Sequence, residues 1–142
     1  MPKQLLPLLI LLLFSYTTIQ AQEDSEEAYI KCELMPSFEE CADLLDYERD
    51  RCTETVIFKF IAENTQYPQE AKEADLEGTV YVQFNVDTEG EVVDATVIRG
   101  VYGSLDQEAL RVINALPKFI PGKQQGKAVK VRYVIPVRFV LN

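Results

Sequence analysis

The residue pattern predicts an α+β fold in two layers, a three-stranded antiparallel sheet in β-β-α-β order packed against helices. Three observations lead there. Residues 79–86 and 128–141 alternate apolar and polar side chains with a period of two, as strands with one buried face do. Leu105, Ala109, Val112, Ile113 and Leu116 recur at helical spacing between them. Asp87, Thr88, Glu89 and Gly90 put turn chemistry between two β-branched runs, a connection too short for anything but an antiparallel hairpin.

In chain order, Ser37 followed three residues later by Glu40 matches a capping box, and Leu44, Leu45 and Glu48 continue it, predicting a short helix over 38–49. Thr53 or Thr55 is expected to cap a second helix over 55–64, whose Val56, Ile57, Phe60 and Ile61 form one apolar stripe facing the core. Pro68 suits the first turn of a third short helix over 68–74. The first strand places Val80, Val82, Phe84 and Val86 on one face, and residues 91–98 form its hairpin partner. Ser104 with Gln107 matches a second capping box before the helix over 105–116, which Pro117 stops. Phe119 and Ile120 extend into a turn at Pro121 and Gly122. The last strand then alternates without interruption from Ala128 to Leu141. Pro136 within it has no amide to donate, so that strand belongs at an edge or carries a bulge. Lys130, Arg132 and Arg138 supply the outward charge that blunts such an edge, or the rim of a docking surface.

The chain of 142 residues divides into three regions. Lys3, the apolar run from Leu5 to Phe14, the polar Ser15–Thr18 and the small Ala21 have the layout of a secretory signal peptide over 1–21. The alternative is an inner-membrane anchor over 5–19, but the run is about half the roughly 20 apolar residues a span requires. Residues 22–54 form an acidic, cysteine-containing extension and 55–142 the folded domain. From Gln22 to Thr55 there are 12 acids against 3 bases, whereas from Val56 to Asn142 there are 11 against 10. Export to an oxidising compartment permits a disulfide. Cys41 with Cys52 is the expected pair, Cys32 with Cys41 its competitor, and Cys32 the leftover thiol.

Several chemistries are disfavoured. A net charge of −9 repels phosphate backbones, so nucleic acid is not an expected partner. With no histidine the chain lacks the usual base near neutral pH, and its Ser, Thr and Cys nucleophiles have no partner of that kind, so no enzyme, cofactor or metal is expected. Three scattered cysteines do not make a zinc site. Gly122 to Lys127 superficially resembles a phosphate loop but has three residues between its glycines, Ala128 where Ser or Thr is needed, and a strand after it. Asp43, Asp46, Glu48 and Asp50 lack the spacing and glycine of a calcium loop.

Tyr67-Pro68, Ala71, Glu77-Gly78-Thr79-Val80, Val82-Gln83-Phe84, Asp87 with Gly90, Leu105-Asp106, Glu108-Ala109, Pro121-Gly122-Lys123, Gly126-Lys127 and Ile135-Pro136-Val137-Arg138-Phe139 together resemble the C-terminal domain of TonB, the energy transducer of the bacterial envelope. The resemblance covers about 56–141. It implies a periplasmic module that adds the box peptide of an outer-membrane transporter as a strand beside its own last strand, carrying force from a proton-driven inner-membrane motor. Carried onto this sequence, the pairing strand is Val129, Lys130, Val131, Arg132, Tyr133, Val134 and Ile135, and the contact segment is Thr65, Gln66 and Tyr67. Three departures from the family pattern stand out, the first of which bears on the motor role. The stretch before the domain is about 35 residues with only Pro36, too short to cross a periplasm, so motor proteins would act through a separate anchor. Phe119 stands where a Trp is common, and the Cys41–Cys52 segment is an addition to the pattern. The alternative function is a stand-alone envelope interaction protein, self-associating as a homodimer through the same edge without transmitting force.

Overall fold

The computed structural model describes residues 27–142, so the expected signal peptide or anchor lies outside the described residues. Within them the chain forms α1 (Asp46–Asn64), α2 (Gln69–Glu73), β1 (Gly78–Val86), β2 (Val92–Arg99), α3 (Gly103–Asn114), β3 (Gly122–Gln124), β4 (Lys127–Val129) and β5 (Val131–Phe139), preceded by a 3₁₀ turn at Glu39–Cys41. The main sheet has strand order β2-β1-β5, antiparallel throughout, and β3 and β4 form a separate small hairpin. This is the α+β, two-layer arrangement expected, with β5 at an edge.

The core lies on one face of the sheet. Val80 opposes Val137, Val82 opposes Ile135 and Phe84 opposes Tyr133 across β1 and β5. Ile57 and Ile61 of α1, and Leu105, Ala109, Val112 and Ile113 of α3, pack onto that face together with Phe38, Phe119 and Phe139. At roughly 2 kcal/mol for each large apolar side chain taken out of water, this layer is the main source of stability.

The hairpin turn is built as its residues suggest. Asp87 Oδ1 accepts the amides of Glu89 and Glu91, each at 2.9 Å, and the Gly90 amide donates to the Asp87 carbonyl at 3.0 Å. Gly90 has φ +86°, and a Cβ there would stand 1.8 Å from the Phe119 carbonyl oxygen. β2 meets β1 with two irregularities in register, and Asp94, at φ +55°, lies in the second.

Local expectations fail in five places. The two helices expected over 38–49 and 55–64 are instead a 3₁₀ turn and one helix of 19 residues. Nothing between Asp50 and Thr55 breaks a helix, and the hydroxyls of Thr53 and Thr55 donate back to the carbonyls of Arg49 and Arg51, 2.9 Å each, instead of capping. The expected boundary between the extension and the domain therefore falls inside α1. Ser37 does not cap either, because its backbone pairs with Ile120. At α3 the first turn starts earlier than expected, and Asp106 Oδ1, rather than Ser104, takes a free amide, that of Val101 at 2.9 Å. The turn expected at Pro121-Gly122 is at Gln125-Gly126, where φ values of +50° and +75° suit a two-residue hairpin loop. The last strand, expected to run unbroken from Ala128, changes partner at Lys130: Val129 pairs with Gly122, and Val131 with Val86.

The extension is part of the fold. Cys41 and Cys52 form a disulfide with Cα atoms 5.7 Å apart, fastening the 3₁₀ turn to α1. Leu34 bridges Lys123, Ser37 bridges Ile120, and Pro36 is fully buried. Cys32 keeps a free, buried thiol, and burial raises its pKa.

Candidate functional site

The open margin of β5 is the feature on which strand addition depends. Tyr29 donates its amide to the Lys130 carbonyl and accepts from the Arg132 amide, both at 2.8 Å, in a parallel bridge. Backbone groups alternate sides along a strand, so Lys130, Arg132, Val134, Pro136 and Arg138 turn theirs away from β1. Odd-numbered residues turn theirs inward. Pro136 therefore lacks its donor on the side where no ladder bond is lost, which is the physical reason it is tolerated.

Along this margin the expected pairing residues separate into four groups. Val129 belongs to β4. Val131, Tyr133 and Ile135 direct their backbones into the sheet, and Tyr29 engages the Lys130 carbonyl and the Arg132 amide. Of the outward amides among the seven, that of Arg132 is taken by Tyr29, and among the described residues no backbone bond from outside the sheet reaches the amide of Lys130 or Val134, nor that of Arg138. Val134 is also 47 % exposed. The continuous pairing surface expected over Val129–Ile135 is thus interrupted, because the strand changes partner at Lys130 and the extension lies against its start.

Thr65, Gln66 and Tyr67 lie at the opposite end of β5. The Thr65 amide and hydroxyl both donate to the Ile61 carbonyl, at 2.9 and 2.6 Å, ending α1. Tyr67 packs edge-on against Phe139 with ring centres 5.6 Å apart, and its hydroxyl donates to the Leu76 carbonyl. The Gln66 amide donates to Glu108 Oε1 at 2.9 Å, and Arg111 binds the same carboxylate through Nε, 2.8 Å from Oε2. Burial alone would raise the Glu108 pKa, but the bonds from Arg111 and Gln66 outweigh it and hold the carboxyl below its ordinary value. From Val131 to Phe139 the strand extends roughly 27 Å, so one guest touching both ends needs about eight extended residues.

α1 flanks this margin on its core side. A cleft of about 460 Å³ lies between Phe58, Ile61 and Ala62 of α1 and Thr79, Tyr81, Pro136 and Arg138 of the sheet. A second, of about 300 Å³, is bounded by Met35, Pro36, Asp50, Glu54 and Tyr133 among others. Burial first, then the neighbouring Asp50 carboxylate, pushes the Tyr133 phenol up, so it stays protonated. Sequence reasoning missed Phe58, which is 44 % exposed beside Pro136. Its signal was a large aromatic residue outside the apolar stripe of its helix. Arg132 and Arg138 are exposed, and neither takes part in an ion pair among the described residues. Among the described residues there is also no group of three or more Cys, Asp or Glu side chains placed to hold a metal ion, and no helix long and apolar enough to cross a membrane.

Comparison with known proteins bears on this geometry. The chain is similar to the solution structure of the Helicobacter pylori TonB C-terminal domain, residues 179–285 of that protein, at 26% identity and a TM-score of 0.51, covering 63% of this chain and 80% of the other. A shorter form of the same Helicobacter pylori domain, residues 194–285, is similar at 25% identity and a TM-score of 0.48, covering 61% and 91%. No curated protein matches. The family model described as Gram-negative bacterial TonB protein C-terminal matches residues 63–141, more than half of the chain and all of it from the end of α1 through β5. An α+β sheet with the matched residues at its core and a Pro-bearing edge strand is thus the fold of a family member: this chain belongs to the TonB protein C-terminal family of Gram-negative bacteria.

Proposed function

We propose that this protein is a periplasmic, TonB-like binding module that takes an extended segment of an outer-membrane transporter, the box peptide, as an added strand along β5, within TonB-dependent energy transduction. The observation that carries the reading is the margin from Val134 to Arg138, where outward backbone groups lack a partner from outside the sheet among the described residues. Strand addition uses such groups for affinity and adjacent pockets for selectivity. The cleft beside Phe58 and Pro136 offers an apolar seat for a guest side chain, and Arg138 next to it, in no ion pair among the described residues, favours a guest with a carboxylate nearby. Any force from inner-membrane motor proteins would arrive through a separately anchored partner.

The test is an NMR titration of the protein with synthetic peptides carrying transporter box sequences. The expected result is a saturable shift of the Val134 and Arg138 amides. A Val134→Pro variant, which removes the outward donor and leaves the β1 pairing in place, should bind about tenfold more weakly. Unmoved Val134 and Arg138 amides at millimolar peptide would refute the reading. A stable dimer in light scattering that ignores the peptides would instead support self-association through this edge.

A further inference from the structure

The chain brings its own occupant to the start of the β5 margin. We propose that the segment around Tyr29 is a displaceable latch, competing with an incoming strand for the Lys130 carbonyl and the Arg132 amide. The inference rests on the strand-addition reading above and adds a regulatory contact to it.

The latch and the arm behind it are held by different forces. From Cys32 onward the arm is pinned: Cys32 is buried against Val129 and Val131, and reciprocal backbone bonds join Leu34 and Lys123 at 3.0 and 2.7 Å and Ser37 and Ile120 at 3.1 and 2.6 Å. The Glu33 carboxylate also accepts from the Gln125 amide at 3.2 Å. Phe38 is buried in the main core, and the Cys41–Cys52 disulfide follows. Tyr29, in contrast, is held by its two backbone bonds, while its side chain is 40 % exposed and that of Ile30 78 % exposed. Ile30 removes little apolar surface from water and Tyr29 only part of its own, and a backbone bond exchanged with water changes an equilibrium only several-fold. Bends at Ile30 and Lys31 separate the two regions. The latch can therefore open while the arm stays fixed, and the short tether from the buried Cys32 returns it at a high effective concentration.

Direction determines what the latch covers. Its bridge is parallel to β5, so Glu27 and Ala28 lie toward Val129, and after Tyr29 the chain bends away to meet Lys123. Val134, Pro136 and Arg138 lie beyond it. A guest strand meets these residues first, and gains the Lys130 carbonyl and the Arg132 amide only when Tyr29 leaves.

Tyr29→Pro deletes the donor to Lys130 without touching the core, and a chain beginning at Lys31 removes the latch altogether. Hydrogen exchange should show the Arg132 amide several-fold faster than in the parent for Tyr29→Pro, which keeps the accepting carbonyl, and at least tenfold faster in the chain beginning at Lys31. A transporter box peptide should bind Tyr29→Pro several-fold and the shortened chain about tenfold more tightly, with the Val134 amide shifting in all three proteins. Equal Arg132 exchange in parent and variants overturns the latch. Peptide that binds all three equally overturns the competition and leaves strand addition standing. A peptide series that moves Val134 in none of the three overturns strand addition, and the competition with it, whatever Arg132 exchange shows.

Discussion

Replacing Cys41 and Cys52 together by alanine isolates what the bridge contributes. The disulfide closes a loop with a sequence separation of 11, for which the chain-entropy relation gives about 2.8 kcal/mol. Alanine is preferable to serine, because Cys41 is fully buried and a hydroxyl there would be desolvated without a partner. The cost should appear in global unfolding, because Cys52 is on the same helix as Ile57 and Ile61, both in the main core. With about 2.1 cal/mol/K of unfolding entropy per residue, a domain of this size should lose roughly 11 °C in Tm. Calorimetry of the parent, the double variant and the parent with reductant measures it, and the last two should coincide. A fall of less than about 3 °C, with faster amide exchange confined to the first two turns of α1, would refute the reasoning: the bridge would then clamp only a local turn. Such a result would also detach the extension energetically from the sheet it lies against.

Other consequences follow from single residues. Gly90→Ala should destabilise by at least about 2 kcal/mol in urea unfolding, since a side chain at that positive φ is strained and its Cβ would collide with the Phe119 carbonyl; a midpoint within error of the parent would contradict the packing of the 119–121 segment on the hairpin turn. Glu108 is depressed below its ordinary pKa, so its contribution is fully present above that value, near 4.5, and is lost as pH falls through the lower folded-state value. Urea midpoints taken down the acid limb should therefore fall less steeply for Glu108→Gln than for the parent, while at neutral pH the variant should be the less stable of the two. Parallel curves would remove Glu108 as the anchor of Gln66.

The fold was legible where one face of an element is buried and its neighbours in sequence are also its neighbours in space. Val80 to Val86 and Leu105 to Leu116 declare their periods, and the hairpin between β1 and β2 follows from Asp87 and Gly90 alone. Helix ends were poorly legible. Ser37, Thr53 and Ser104 all look like caps, yet a hydroxyl can serve an amide ahead of it or a carbonyl behind it with similar energy, and tertiary pairing decides. At Ser37 the decision came from Ile120, more than eighty residues away. The break at Lys130 was hidden for a related reason. The side chains of Val129 and Val131 are both buried, so the alternation is uninterrupted and only the backbone partner changes.

Pro136 gave the edge of the sheet correctly, because a missing donor is a property of one residue and does not depend on context. What covers that edge could not be read in the same way. The Tyr29 bridge uses main-chain atoms alone, and main-chain atoms carry no sequence signal: any residue except proline could occupy position 29 with the same two bonds. The acidic composition around it suggests only a solvated start to the folded chain, while the pinning residues that bring it to β5, Leu34, Pro36 and Phe38, are unremarkable apolar positions in a short polar stretch. A backbone-only contact is also the kind most easily exchanged for another backbone. The feature least visible in the sequence is therefore the one an incoming strand can replace without disturbing the core, since Val131, Tyr133 and Ile135 keep their bonds to β1 whichever chain lies on the other side.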